Sequence, residues 1–326
     1  MQWQDKGQGF LRKNLSGESE YSSFIPSSLD TVVPVELSEE TVRLLSACSR
    51  KLGELEGMLR FAPNASMYLA KEALLSAQIE GTQCTFDDIL DPGNVELAQR
   101  DVADVVNYIR ATEYAVRRMN ELPLCMRLLK EVHAELLSGT RGSEKNPGEV
   151  RSSQNWIGPA GCGLRNAAYI PPNVDDMHDA LGELDKFINS DIAIDPIVKA
   201  SLVHYQFETV HPFLDGNGRL GRLLITLSLM NDGALSAAIF YPSYQLKLRR
   251  REYYERLMAV RENGEYAQWV GFFCDCLLAS AVDAIGSLER LVDLRTKNMN
   301  LINGGLGRSA SNGQRFLELL EGNPIV

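Results

Sequence analysis

HYQFETVHPFLDGNGRLGR, residues 204–222, decides how this chain is read. Within twelve residues, His211 to Arg222, it gathers His211, Asp215, Gly216, Asn217, Gly218, Arg219 and Arg222, and it runs straight into an apolar helix, Leu223–Met230. A base, a metal ligand, a pliable backbone and two cations are what a nucleotide phosphate site needs. A capped helix with surface ion pairs would explain any one of these residues, but the joint spacing argues against it.

The loop supports that reading residue by residue. Gly216 and Gly218 admit backbone conformations closed to other residues and let phosphate oxygens come close. A helix starting near Asn217 offers unpaired N–H groups and the positive end of its dipole, so an anion fits there. Arg219 and Arg222 are three apart and share one side of that helix. Leu220, Leu223, Leu224 and Leu227 form the adjoining apolar stripe. Asp215 would repel phosphates unless a cation lay between, and Mg²⁺ is the usual solution. A neutral His211 could take a proton from an incoming hydroxyl. The Walker pattern G-x-x-x-x-G-K-[ST] does not occur, and Gly158, Gly161 and Gly163 follow no strand leading into a helix, so P-loop and dinucleotide folds fit poorly.

Composition bounds the rest. The chain has 326 residues, 44% of them apolar, enough for one large domain or several small ones with a real core. Net charge is -10 and the pI near 5.1, which argues against a broad nucleic-acid surface. No uninterrupted apolar run approaches the roughly 20 residues that span a bilayer, and MQWQDKGQGFLRKN has no signal core. The six cysteines, at 48, 84, 125, 162, 274 and 276, read as buried reduced thiols, with a redox or metal pair at 274 and 276 as the lesser option. A cytoplasmic protein with no membrane partner is expected.

Residues 1–37 are rich in Ser, Gly and Pro and read as an extended arm. Helical periodicity dominates afterwards. Ser38 should cap a helix with Glu39 and Glu40 in its first turn and Leu44, Leu45 and Cys48 on one face. Further helices are expected at 66–80, 96–120, 124–138, 174–190, 195–210, 217–231, 246–263 and 266–297. Only 150–172 carries a β signal, as a small hairpin with a Gly-rich turn. Residues 312–320 look like an amphipathic helix before the chain ends at NPIV, so a DNA-recognition helix cannot be assigned. The expected class is all-α with one minor β-flap.

HPFLDGNGRLGR resembles the signature of the Fic family, HPFx(D/E)GNGRxxR, at every defining position. PGEVRSSQNWIG (147–158) and AYIPP (168–172) resemble the family's target-docking flap, here Asn155, Trp156, Ile157 and Gly158. The N-terminal half and PSYQLKLRRREYYERL resemble larger bacterial members. The resemblance implies a Fic-fold helical bundle with a small β-hairpin flap. It divides the chain into an N-terminal region (1–110), a catalytic core (111–245) and C-terminal helices with the start of a winged-helix-like module (246–326).

It also implies a reaction. AMP would pass from ATP to a Ser, Thr or Tyr hydroxyl of a target protein, with His211 as general base and Asp215 placing Mg²⁺. Amides across Gly216, Asn217, Gly218, Arg219, Leu220 and Gly221, with the Asn217 side chain, would form the anion hole. Arg219 and Arg222 would hold the outer phosphates. Ile157 is a candidate clamp on the target, or an ordinary core residue.

Ser76-Ala-Gln-Ile-Glu80-Gly81 is the second element. Glu80 ends a helix whose dipole disfavours a carboxylate there, so it wants a cationic partner, and Ser76 shares its face. The segment resembles the family's inhibitory motif (S/T)xxxE(G/N). That implies Glu80 pairs with Arg222 and blocks the γ-phosphate within one chain. Tyr253 and Tyr254 could enclose the base, or pack in the core. Arg249, where relatives often place asparagine, is by that resemblance a nucleotide-binding candidate. His204 reads as a satisfied core histidine, and His133 and His178 as structural or surface residues.

A self-inhibited protein adenylyltransferase, with ATP and Mg²⁺ as its requirements, is therefore the leading expectation. Transfer of another nucleotide or de-AMPylation by the same fold is the nearest alternative, and an ATP-sensing regulatory or DNA-binding protein the more distant one. The target protein is unnamed. Self-modification and pairing of two copies through N-terminal helices stay open.

Overall fold

The computed structural model describes residues 7–17, 20–58, 66–90, 98–140, 142–159 and 161–322. Two short strands open it, β1 (Gly9–Asn14) and β2 (Tyr21–Pro26). The helices follow: α1 (Leu29–Val32), α2 (Glu39–Met58), α3 (Ser66–Ile79), α4 (Phe86–Leu90), α5 (Ala98–Arg118), α6 (Met126–Leu136) and α7 (Val174–Ile188). Next come α8 (Pro196–Val210), α9 (Asn217–Asn231), α10 (Ser243–Leu248), α11 (Arg250–Asn263), α12 (Tyr266–Gly305) and α13 (Ala310–Gly322).

Local chemistry sets several boundaries. Ser38 Oγ accepts the Thr41 amide at 3.1 Å, as a cap of α2 should. Asn173 caps α7 through the Asp176 amide. Asp195 caps α8 through the Ile197 amide, with Pro196 in the first turn where its missing N–H costs nothing.

The middle of the molecule is the pair α8 and α9. Every residue from Ile197 to Val210 is buried, and α9 buries Leu220, Leu223, Leu224, Ile225, Leu227 and Leu229. Each such leucine or phenylalanine contributes about 1.5–3 kcal/mol over an exposed one. The stiff pair fixes the loop between them, 211–216. α6, α7 and α5 pack around it, α3 touches both α5 and α9, and α12 lies along α2. One hydrophobic cluster runs from Leu29 to Leu288.

Four expectations need correction. Residues 9–14 and 21–26 are no loose arm: β1 and β2 pair antiparallel, with Leu11 opposite Phe24. β1 is exposed on both faces, so it shows no alternation to read, while β2 buries Phe24 and Ile25. Residues 1–6 of the arm, the start of the 96–120 helix and the NPIV end lie outside the described residues. Among the described residues the 150–172 flap is joined by a single antiparallel bridge, Ile157 with Tyr169, and a 3₁₀ turn at Leu164–Asn166, short of a hairpin ladder. The helix expected at 246–263 divides at Arg249 into α10 and α11. Finally, α12 is long and apolar enough by composition to cross a membrane, but 56% of its 18-residue apolar stretch is buried inside the fold, as in a core helix.

The cysteines carry no disulfide; Cys48, Cys84, Cys274 and Cys276 are buried, and Cys125 and Cys162 partly so.

Candidate active site

α8 ends abruptly. His211 adopts φ 49°, ψ 62°, a left-handed conformation that histidine seldom visits. Neighbours over-determine that turn. Arg151 Nε donates to the His211 carbonyl at 3.1 Å, and Asn155 Nδ2 donates to the same oxygen at 3.0 Å. The Arg261 guanidinium donates to the Glu208 carbonyl at 3.2 Å and to Thr209 Oγ1 at 3.1 Å. Tyr169 donates its hydroxyl to the Thr209 carbonyl at 2.7 Å. The orphan carbonyls of a helix C-terminus thus meet two buried cations, which its dipole favours. Burial, then the charge of Arg261, push the His211 imidazole down to about 4. The ring is neutral near pH 7 and can accept a proton.

The loop that follows is stapled from inside. Asn217 Oδ1 accepts the Phe213 amide and Nδ2 donates to the Phe213 carbonyl, both at 2.8 Å. His133 ties the loop from outside. The Gly148 amide donates to its Nδ1 at 2.8 Å, so the proton sits on Nε2, which faces the Asp215 carbonyl at 2.9 Å. The ring stacks on Phe213 with centroids 3.8 Å apart. Burial lowers it to about 4, which keeps that tautomer neutral.

α9 begins at Asn217 after Gly216 in the left-handed region, φ 76°. A side chain there would press on His133, since a Cβ would lie 3.2 Å from Nε2. Gly216 donates its amide to Asp215 Oδ1 at 2.6 Å. The first-turn amides of Asn217, Gly218 and Arg219 have no acceptor within the helix and form an anion cradle. Leu220 donates its amide to the Gly216 carbonyl and its side chain is fully buried.

Two arginines back the cradle. Arg219 is buried and pairs with Asp104 of α5 at 3.1 Å and, more loosely, with Asp215 at 3.6 Å. Arg222 is 1% exposed. It donates Nε to Ser76 Oγ at 2.9 Å and Nη2 to both the Ser76 carbonyl, at 2.9 Å, and Glu80 Oε1, at 2.7 Å. Glu80 follows α3 directly, and Gly81 turns the chain away at φ 96°. Burial would raise the Glu80 carboxyl, but the charge and hydrogen bond of Arg222 outweigh it and hold it below the ordinary value. Gly218 makes room: a Cβ there would meet Glu80 Oε1 at 2.1 Å.

These groups surround one cavity of about 400 Å³. Its floor is the 214–219 loop with Arg222, its walls are Glu80, Glu208, His211 and Tyr254, and its lip is Trp156, Ile157 and Gly158. Asp215 projects into it with 39% of its side chain exposed. Among the described residues no three His, Cys, Asp or Glu side chains gather to cage a metal. Asp215, at the mouth of the anion cradle, suits Mg²⁺, which keeps its waters and leans on one carboxylate plus phosphates.

Sequence comparison agrees with this geometry. The Fic/DOC family pattern matches residues 123–229, and the family's N-terminal pattern matches 42–117. The two spans together exceed half of the chain. The chain belongs to the Fic/DOC family. It is 25% identical over 273 residues to a protein adenylyltransferase Fic of Drosophila mojavensis, covering 78% of this chain and 50% of that protein. With the Drosophila willistoni protein of the same name it shares 27% identity over 180 residues, 53% of this chain and 32% of that one. It therefore spans half or less of the length of these curated relatives. In fold it is similar to a Fic family protein from Desulfovibrio desulfuricans, with a TM-score of 0.67, 22% identity and coverage of 86% and 85% of the two chains. A Fic domain containing signaling protein from Bacteroides thetaiotaomicron superposes with a TM-score of 0.58 at 20% identity, covering 77% of this chain and 97% of that one.

Most of the Fic-like positions converge on the cavity, including Glu80, which comes from a distant helix. Arg249 does not: it sits at the α10–α11 junction, outside the cavity lining, with its guanidinium on Asp275. Leu220 lies in the core, behind the cradle. Asn217 spends both ends of its amide shaping the loop, leaving its backbone to face the cavity. Of the two tyrosines, Tyr253 is buried and donates to His204 Nε2 at 2.9 Å, while Tyr254 lines the cavity. His204, donating from Nδ1 to the Gly221 carbonyl at 2.8 Å, is a satisfied core residue. Ile157 is half-buried on the lip, bonded through its backbone to Tyr169. Asp104, Arg151 and Arg261 escape a sequence reading because each bonds across a long separation, and His133, read as structural or surface, is structural and ties the loop. HYQFE at least points to Glu208, a buried carboxyl that burial lifts to about 7.

Proposed function

We propose that this protein is an adenylyltransferase that moves AMP from ATP to a hydroxyl of a target protein, restrained by Glu80. The observation that carries the reading is the shared cavity: a neutral His211, the N-terminus of α9 and Arg222 face the same 400 Å³. The names of the Drosophila relatives support it at the level of the family.

The chemistry follows from these groups. The triphosphate lies on the α9 amides, and its charge is met by Arg219 and, once Glu80 withdraws, Arg222. His211 takes the proton of a Ser, Thr or Tyr hydroxyl. The hydroxyl oxygen bonds to the α-phosphorus as the bond to pyrophosphate breaks. Asp215 would hold Mg²⁺, which would neutralise phosphate charge. The flap offers main-chain groups to an extended target segment, and Ile157 and Trp156 border the target hydroxyl. Positioning and charge neutralisation account for most of such a transfer, and little else is required of the protein.

The deciding experiment supplies α-labelled ATP and Mg²⁺ to the parent, Glu80→Gly and Glu80→Gly/His211→Ala proteins, alone and with cell lysate. Label on protein should rise in the first variant and vanish in the second. Absence of label in all three, with ATP still bound, would sink the reading. A second reading has its own support: Glu80 keeps 35% of its side chain exposed beside the cavity, where a carboxylate could orient water for removal of AMP. Release of AMP from a modified protein, lost in Glu80→Gly, would favour it.

A further inference from the structure

Arg151 is buried, with 1% of its surface exposed, and among the described residues it forms no ion pair. Its guanidinium is spent on main-chain carbonyls: His211 at 3.1 Å, Ser153 at 3.2 Å and Pro172 at 2.5 Å. Its own amide donates to the Pro212 carbonyl at 2.9 Å. Ser153 and Pro172 are the two rims of the 150–172 flap. His211 and Pro212 are the turn that carries the base. One planar side chain therefore spans both flap rims and the catalytic turn.

The planarity matters. The guanidinium presents its donors in a rigid fork, so the three carbonyls cannot shift independently without breaking a bond. The buried Pro172 carbonyl, if it lost its donor, would find no water to replace it. Asn155 repeats the link two residues further along the flap, donating to the carbonyls of His211 and Phe213, both at 3.0 Å. His211 needs such a hold, because its left-handed backbone is not one it would keep unaided.

We propose that Arg151 is a positioning residue: its guanidinium couples the posture of the flap to the orientation of His211, so that a target segment seated on the flap aligns the base. The proposal rests on the function proposed above. It predicts that flap and catalytic turn respond to perturbation together, and that the phosphate cradle does not.

The test uses the full chain carrying Glu80→Gly, with and without Arg151→Lys, and Asn155→Ala as a milder variant that keeps the fork. Lysine retains the charge and loses the fork. Hydrogen–deuterium exchange should show 152–158 and 208–215 losing protection together while 217–231 keeps its own. Affinity for Mg·ATP should stay within about twofold, while kcat for transfer falls about 10- to 100-fold with the KM for ATP unchanged. Loosening of the flap alone, with 208–215 as protected as before, would overturn the proposal. So would loss of protection throughout α9 in step with ATP affinity, which would make Arg151 a folding residue only. Should Glu80→Gly bind ATP and transfer nothing, the functional reading falls, and the exchange pattern still decides the coupling.

Discussion

Glu80 Oε1 lies 2.7 Å from Nη2 of Arg222, across 142 positions of sequence. The carboxylate comes from the residue that follows α3 and the guanidinium from the second turn of α9, so under the proposed function an internal carboxylate occupies a cation that would otherwise meet phosphate. Arg222 cannot serve both at full strength. Glu80→Gly should therefore raise protein labelling at least about tenfold, the effect of freeing one charge clamp worth a few kcal/mol. Equal labelling by variant and parent would show that the pair restrains nothing.

Ser76 holds the same guanidinium through its hydroxyl and its carbonyl. Ser76→Ala removes one acceptor from a buried cation while leaving the carbonyl and Glu80 in place. A loss of about 1–2 kcal/mol is expected in a denaturant titration. Labelling should rise less than with Glu80→Gly, because the carboxylate still competes.

Gly221 faces the core. A Cβ there would meet Glu208 Oε1 at 2.2 Å and Phe207 Cδ1 at 3.2 Å, both held on the fully buried α8. Gly221→Ala should cost about 1–3 kcal/mol as overpacking, read as a shift of the denaturation midpoint at unchanged slope.

The pH dependence of transfer has a definite sign. Burial and Arg261 push His211 down to about 4, so the base loses activity only when it is protonated, as the pH falls toward that value. The rate should be level between about pH 6 and 8. Arg261→Gln removes a nearby cation, raises the imidazole toward its ordinary value of 6.5 and moves the acid limb upward with it. An acid limb already near 6.5 in the parent would contradict this environment.

Local signals were legible and distant ones were not. The start of α9 at Asn217 follows from Gly216 and from the apolar stripe beyond Leu220. The cap Ser38 sits where a side-chain oxygen must meet helix amides, while the caps Asn173 and Asp195 emerge only in the structure. Glu80 in the cavity wall, and Ser76 behind it on Arg222, could be placed only through their resemblance to a known motif, since a glutamate near a helix end is otherwise unremarked. His133 could be read only as structural or surface, and Arg151 not at all, because they bond to main-chain atoms 82 and 60 positions away. Arg249 misled for the opposite reason: its place in the chain suggested the nucleotide, and Asp275 one helix further on captured it. The β1–β2 hairpin was hidden because β1 has no buried face to set an alternation.

That hairpin gives the flap a foundation. The Phe24 amide of β2 donates to the Ile170 carbonyl at 3.0 Å, and the Tyr21 hydroxyl donates to Gln154 at 3.1 Å. A protein trimmed to the family-matched span, 42–229, would leave both partners unanswered on opposite arms of the flap. Shortened versions would then report target preferences that belong to the truncation and not to the protein.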